Sequence, residues 1–229
     1  MFARIKSKAR SVVIIVLVAM PIAAAVNVFG QNAELVKQTD QVSIDVSNVT
    51  ISSALFVLTQ QNPGLRIGFE ESSRTSMEPK ISLKRKAEDL SSVFDALVAL
   101  DTEYRWYEYE GVFVFEPRNR FPKCFDLLNL KVSSIAMPIE TRRVDLINAI
   151  IGSPEVNKFL KSNSLDYLFS FEYLMKSQLF YKEGRKSQLA ENDNVIEVLN
   201  RIIRLSDSVG MWQIGFYGPE RKYLSVLLT

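Results

Sequence analysis

Hydrophobic and polar positions follow one succession in residues 42–70, and the same succession returns 39 residues further along the chain. Apolar and polar residues first alternate from Val42 to Val46, which is typical of a strand with one buried face. Apolar residues then recur at the spacing of one helix face, and alternation returns from Leu65. This copy is therefore predicted to form a strand, a helix and a second strand. Its helical positions are Ile51, Ala54, Leu55 and Leu58.

The second copy matches the first without an insertion. Thr50 and Asp89 each precede the first apolar position of a predicted helix, where a short polar side chain can accept hydrogen bonds from the first turn. The chain is therefore predicted to contain a duplicated strand-helix-strand unit, with helices over residues 51–61 and 90–100. The apolar residues of the second copy are Ile81, Leu83, Leu90, Val93, Phe94, Leu97, Tyr104 and Trp106.

The same residues resemble the STN domain, the short N-terminal module of secretins and TonB-dependent transducers. The resemblance covers residues 42–117, about a third of the chain. It implies two helices packed with small sheets, a periplasmic location and contact with partner proteins. The residues that carry it are Ile51, Ala54, Leu55, Leu58 and Gln60, then Ile81-Ser82-Leu83, Leu90, Val93-Phe94-Asp95-Ala96-Leu97 and Tyr104-Arg105-Trp106.

Each half of the chain ends in a predicted β-hairpin. Glu110-Gly111 forms the turn of the first hairpin, and Gly218-Pro219-Glu220 forms the turn of the second. Residues 112–115 alternate valine with phenylalanine, and successive side chains of a strand point to opposite faces. Both faces of that strand are therefore expected to be covered.

The second half of the chain is predicted to be a divergent α+β domain over residues 125–229. Residues 118–124 include Pro122 close behind Pro117, and this interruption of the periodicity predicts a linker. Helix-then-strand spacing like that of the first domain returns at residues 195–216. The predicted fold class is therefore α+β, with two small modules.

Residues 154–192 form an insert in the second domain that is predicted to be mainly helical. Its aromatic stretch, residues 165–183, fits a helical stripe, although alternation of aromatic residues within it would also suit a strand. Residues 184–194 are polar and predict an exposed loop. The stripe consists of Leu168, Phe171, Met175 and Leu179, and the alternating residues are Phe169, Phe171 and Tyr173.

Histidine is absent, and cysteine occurs once, at Cys124. The absence of histidine removes the commonest general base and the commonest metal ligand. Cys124 is therefore predicted to be a small apolar residue at the start of a strand. The net charge is +2, but four of the 28 basic residues lie in residues 1–10, which leaves 24 basic against 26 acidic residues. We predict no catalytic residue, metal, cofactor or nucleic-acid partner.

Two classes of function are compatible with this sequence. The favoured one is a non-catalytic module that binds another envelope protein, in secretin or TonB-type assembly or signalling. The alternative is a glycan-binding protein that uses an exposed Trp106 or Trp212, or a glycan hydrolase that works through carboxylates alone. The chain has no acidic pair at a diagnostic spacing, which favours the interaction module.

The partner is expected to pair with an open sheet edge, because short split sheets leave unpaired backbone groups. The two candidate edges are the hairpin strands at residues 112–115 and 223–228. The second is preferred because it is the last segment of the chain. Its candidate partner-binding residues are Tyr223, Leu224, Ser225, Val226, Leu227 and Leu228.

Residues 1–25 have the organisation of a secretory signal. Four basic residues precede an apolar stretch that ends in three alanines, with Ala25 as the predicted cleavage residue. Residues 26–41 are polar and predict a flexible lead-in. The protein is expected to be periplasmic or secreted, with membrane contact only if the signal is retained as an anchor.

In a bacterial host we expect the mature protein to begin near Val26 and to be released with the periplasmic or secreted fraction. The reason is the small-residue cleavage site at the end of the apolar stretch. N-terminal sequencing of the recovered protein checks this. Protein from membranes that still begins at Met1 would establish a retained anchor.

Overall fold

A computed structural model describes residues 41–73, 78–137, 141–168, 179–181, 187–206 and 209–229, which belong to the unit Val36–Thr229. The elements of its first half are β1 (Val42–Val49), α1 (Ile51–Gln61), β2 (Ile67–Glu70), β3 (Ile81–Glu88), α2 (Leu90–Leu100), β4 (Tyr104–Tyr109), β5 (Val112–Pro117) and α3 (Pro122–Leu128).

The elements of the second half are β6 (Lys131–Met137), β7 (Thr141–Arg142), α4 (Arg143–Ile151), α5 (Pro154–Ser162), β8 (Asp166–Tyr167), β9 (Leu179–Tyr181), β10 (Ser187–Asn194), α6 (Val195–Leu205), β11 (Met211–Tyr217), a 3₁₀ turn (Pro219–Arg221) and β12 (Tyr223–Leu228). Helices and strands are mixed in both halves, so the predicted α+β class is confirmed. No helix among the described residues is long and apolar enough to cross a membrane.

The sequence repeat is reproduced in the caps of the first two helices. Thr50 accepts a hydrogen bond from the Ser53 backbone N–H at 3.2 Å, and Asp89 accepts one from the Ser92 N–H at 2.9 Å. Both cap residues are extended, as an N-cap requires. The two copies therefore begin their helices in the same way, at the residues that the periodicity indicates.

β1 and β3 pair antiparallel in a two-stranded ribbon whose two sides are equivalent. The Asn48 N–H donates to Ser82 Oγ, and the Ala87 N–H donates to Ser43 Oγ, each at 3.0 Å. Asn48 and Ala87 also share a left-handed φ of 54°, which turns each strand towards the helix that follows. The two copies thus make the same contact reciprocally, one at each end of the ribbon.

The second half repeats the topology of the first. β6 and β10 form a second antiparallel ribbon, as β1 and β3 do. The hairpin β11–β12 has β8 as a parallel neighbour of β12, just as the hairpin β4–β5 has β2 as a parallel neighbour of β5. Each half is therefore a ribbon, helices and a three-stranded sheet.

The two three-stranded sheets join into one six-stranded sheet of order β4-β5-β2-β11-β12-β8. The joint is the parallel pair β2–β11, where the Ile67 N–H donates to Gly210 O and the Glu71 N–H donates to Ile214 O, both at 2.8 Å. The Glu71 side chain also accepts a hydrogen bond from Gln213. Backbone and side-chain hydrogen bonds therefore both hold the two halves together.

A large ring lies across this joint. Trp212 stands opposite Gly68, and a methyl group on Gly68 would overlap the Trp212 ring. The indole is fully buried, and its Nε1 donates to Asn200 Oδ1 at 2.7 Å. Gly68 therefore leaves room on β2 for the Trp212 side chain of β11.

Hydrophobic cores lie on both faces of the shared sheet. Phe115, with Phe113 at its margin, packs towards α1 and α2, whereas Val112 and Val114 pack towards the core of the second half. The prediction that both faces of β5 are covered is confirmed. The first core also includes Leu55, Phe69, Phe94 and Met211, and the second includes Leu127, Val198, Ile202, Trp212 and Leu224.

The predicted linker, residues 118–124, is wrong in its second part, because α3 begins at Pro122. Proline suits the first turn of a helix, where its missing N–H would have no intrahelical partner. Cys124, Leu127 and Leu128 then form a buried stripe on α3. Cys124 is thus a buried residue of a helix and does not begin a strand.

The predicted helix over residues 165–183 is wrong at both described ends, where β8 and β9 occur. Leu168 is exposed after β8, and Leu179 begins β9. The other two residues of the predicted stripe, Phe171 and Met175, lie outside the described residues. The early part of the insert is helical as predicted, in α5.

The predicted loop at residues 184–194 is also wrong, because Ser187–Asn194 forms β10. β10 pairs with β6 in a two-stranded ribbon. Its mainly polar sequence lacks the apolar alternation that would predict a strand. Ala190 is the buried one among residues 190–194, the part of β10 whose side chains the structure describes. Residues 191–194 are all polar, so this end of β10 has no apolar alternation to detect.

The repeat makes a prediction about the core. Leu55 and Phe94 are fully buried, and truncating either to alanine should lower the free energy of unfolding by roughly 2–5 kcal/mol. Phe56→Ala is the matched control on α1, because Phe56 is 41 % exposed. Equilibrium urea unfolding measures all three variants. An equal loss at Phe56 and Leu55 would mean that the repeat does not mark the core.

Candidate partner-binding site

The predicted partner-binding strand is β12, and it is not the end of the sheet. β11 flanks β12 on one side, and β8 pairs with Tyr223 and Leu224 on the other. The Leu168 N–H donates to Leu224 O at 2.7 Å. Of the predicted residues, Tyr223 is exposed, Ser225 and Leu227 are half-buried, and Leu224, Val226 and Leu228 are buried.

Ser225 in particular does not offer its backbone to a partner. Met211 and Thr229 exchange both backbone hydrogen bonds, at 3.0 and 2.8 Å, and bonded positions alternate along an antiparallel pair. Ser225, four residues before Thr229, is therefore a position bonded to Gly215 of β11. A proline at Ser225 would break the terminal hairpin itself.

The other predicted edge, residues 112–115, lies inside the sheet. β5 is flanked by β4 on one side and by β2 on the other. β4 has a single neighbour among the described strands and is the long strand at the end of the sheet. The hairpin prediction is therefore right about the turn, since Glu110 and Gly111 have φ of 53° and 75°, and wrong about which strand is open.

The backbone groups of Trp106 and Glu108 point away from the sheet. Phe113, opposite Glu108, donates its N–H to Arg66 O beside β2, at 3.0 Å. Because bonded and non-bonded positions alternate, Glu108 directs its own N–H and C=O to the open side of β4. Trp106, two residues earlier, does the same. These groups can pair with an added strand.

One face of β4 combines carboxylates with an indole. Trp106 Nε1 donates to Asp95 Oδ1 of α2 at 2.9 Å, and the ring packs edge-on against Phe94 with centroids 5.2 Å apart. Glu108 lies on the same face, is exposed, and forms no ion pair with any residue that the structure describes. This face therefore presents negative charge beside an aromatic ring.

The opposite face of β4 borders a cleft of about 220 Å³. This volume is below the 300–1,000 Å³ or so of most small-molecule pockets, so the cleft suits a side chain better than a cofactor. Phe125, which forms one wall, is 48 % exposed. The lining residues are Tyr107 and Tyr109 of β4, Arg120, Phe125, Leu128 and Asn129 around α3, and Asn194 and Ile196 at the start of α6.

Several polar groups of the cleft are bonded within the protein. Tyr109 donates to Glu197 Oε1 at 2.9 Å, and Asn129 Nδ2 donates to the Phe125 carbonyl at 2.8 Å. The surface that remains for a ligand combines aromatic and aliphatic groups with polar ones.

Arg120 joins two buried carboxylates beside the cleft. Its Nε and Nη2 lie 2.8 and 2.6 Å from Glu70 Oε2, and its Nη1 lies 3.1 Å from Glu116 Oε2. Arg105 adds a bond from β4, with Nε 2.8 Å from Glu116 Oε1. Two positive and two negative side chains therefore neutralise one another and tie β4, β5 and β2 together.

Burial changes the acidity of the groups around Arg120. It raises the pKa of Glu70, whose Oε1 has no hydrogen-bond partner among the described residues, while Arg120 opposes that rise. Burial and the nearby Glu116 raise the pKa of Tyr107 to about 12, and burial raises the pKa of the Cys124 thiol. Tyr107 and Cys124 therefore stay protonated at neutral pH and offer no nucleophile there.

Neither indole has the exposure that a glycan platform needs. Trp212 is fully buried at the joint between the two halves. Trp106 is half-buried, and its N–H is bonded to Asp95. Neither side chain therefore has the exposed indole that would favour glycan binding.

Comparisons of the chain with protein-family models, with curated proteins and with solved structures return no match. Within the described part of the chain, no three acidic, cysteine or histidine side chains converge to hold a metal ion. The candidate site is an open strand with an acidic face on one side and a cleft on the other.

The raised pKa of Glu70 predicts the sign of a pH effect. The folded state holds the Glu70 proton more tightly than the unfolded chain does. In the unfolded chain the pKa of the Glu70 carboxyl is the ordinary 4.5. The stability of the wild type relative to Glu70→Gln should therefore be greatest below that value and fall as pH rises through the raised pKa.

Urea unfolding of both proteins between about pH 4 and pH 8 measures this difference. Glu191→Gln, at an exposed carboxylate, is the control for removing one negative charge. A difference that grows in favour of the wild type as pH rises would contradict the assignment.

Proposed function

We propose that this protein is a non-catalytic interaction module of the cell envelope that binds another envelope protein, in secretin or TonB-type assembly or signalling. The contact is made by an extended segment of the partner that pairs with β4. The observation that carries the proposal is the open position of β4 in the six-stranded sheet, with the backbone groups of Trp106 and Glu108 directed outwards.

Strand addition has a simple physical basis at this edge. A partner segment replaces the water on outward N–H and C=O groups and extends the ladder without any rearrangement of β4. β4 is held firmly for this purpose, because Arg105 is bonded to Glu116 and the hairpin turn is fixed at Glu110, which binds Arg204 at 3.0 Å. The strand is therefore preformed for pairing, which lowers the entropy cost of binding.

Two features of the sequence support the compartment and the class of partner. Residues 42–117 resemble the STN domain, a module that contacts partner proteins in the periplasm. Residues 1–25 have the pattern of a secretory signal. Both point to an envelope protein as the partner.

The proposal is tested by removing one outward backbone donor. Glu108→Pro removes the N–H that faces the open side, and proline is tolerated on an edge strand when its missing donor faces solvent. Glu108→Thr is the matched control, because it removes the same charge and keeps the N–H. Each variant is used to capture proteins from the envelope of the producing cell.

We expect Glu108→Pro to retain a discrete envelope partner about tenfold less than Glu108→Thr, with both variants folded by circular dichroism. Equal capture by the two variants would show that the β4 backbone is not the contact. Retention of soluble glycan with no protein partner would instead favour the glycan-binding alternative.

A further inference from the structure

We infer that β4 selects an extended segment in which basic residues alternate with large apolar residues. This inference rests on the proposed function, since it concerns which partner sequence the open strand accepts. It follows from the different chemistry of the two faces of β4.

A strand added to β4 places its side chains alternately on those two faces. Partner residues opposite Trp106 and Glu108 lie on the acidic face, and those opposite Tyr107 and Tyr109 lie on the cleft face. Successive residues of a single extended segment therefore meet the acidic face and the cleft face in turn.

The acidic face favours a basic side chain. Glu108 is exposed and has no counter-charge among the described residues, and Asp95 lies against the Trp106 indole at 2.9 Å. A lysine or arginine opposite Glu108 would be a cross-strand pair of opposite charge and could also lie over the indole face. An acidic residue there would meet like charge.

The cleft face favours an apolar side chain. Its one guanidinium, that of Arg120, is already engaged by Glu70 and Glu116, so the cleft has no spare positive charge for an acidic ligand. The rings of Tyr107 and Phe125 and the Leu128 side chain supply the apolar part of the lining of this cleft of about 220 Å³. Burying a valine-sized or larger side chain there removes apolar surface on both partners from water.

Three peptides of the same length as β4 test the selection against the purified full-length chain. The first alternates valine with lysine, the second alternates valine with glutamate, and the third alternates serine with lysine. Calorimetry up to about millimolar peptide measures each affinity. We expect the valine–lysine peptide to bind the wild type at least about tenfold more tightly than either of the others. We expect Glu108→Pro to bind it about tenfold more weakly than Glu108→Thr, which removes the same charge and keeps the N–H.

Two variants assign the selection to its two faces. Glu108→Lys should reverse the preference, so that the valine–glutamate peptide binds more tightly than the valine–lysine peptide. Phe125→Ala should reduce the difference in affinity between the valine–lysine and serine–lysine peptides. Phe56→Ala is its control, since Phe56 is similarly exposed, at 41 % against 48 %, and lies on α1.

The outcomes separate this inference from the proposed function. If the valine–glutamate or serine–lysine peptide binds the wild type as well as the valine–lysine peptide does, and Glu108→Pro still binds about tenfold more weakly than Glu108→Thr, strand addition stands and the sequence selection is overturned. If no peptide binds, or if Glu108→Pro binds the peptides as tightly as Glu108→Thr does, strand addition at β4 is itself overturned.

Discussion

The structure depends on the parallel pairing of β2 with β11, where the two halves of the chain become one sheet. Gly68 makes this pairing possible, because the Trp212 ring lies where any side chain at residue 68 would stand. The buried hydrogen bond from Trp212 to Asn200 then fixes the ring in the second core. A packing constraint at one glycine thus joins two modules that have the same topology.

The joint also decides which strands are open. In the sheet, each hairpin has a parallel third strand beside it, which is β2 in the first half and β8 in the second. The joint covers the outer side of β2 and leaves the outer side of β8 uncovered by any described strand. β4 at one end and β8 at the other therefore remain the terminal strands among those described, and β4 is the longer, with six residues against two. The joint thus covers β11, the counterpart of β4 in the second half, and leaves β4 open.

Local structure could be predicted from the sequence, and the joint could not. Thr50 and Asp89 cap helices as their positions predict, and Glu110-Gly111 forms the predicted turn, because these depend on neighbours a few residues away. The sequence predicts residues 223–228 to be open because nothing local indicates that β8 pairs with Tyr223 and Leu224. Pro122 shows the same limit on a small scale, since the proline that suggests a linker also suits the first turn of a helix.

The most direct test of the joint is amide hydrogen exchange and urea unfolding of Gly68→Ala beside Gly64→Ala. A methyl group at Gly68 would overlap Trp212, whereas one at Gly64 would meet no atom within 4 Å. Gly68→Ala should lower the free energy of unfolding by about 1–3 kcal/mol and speed exchange in both β2 and β11. Gly64→Ala should leave exchange in both strands unchanged. Faster exchange in residues 42–117 alone, or equal stability of the two variants, would contradict a shared sheet.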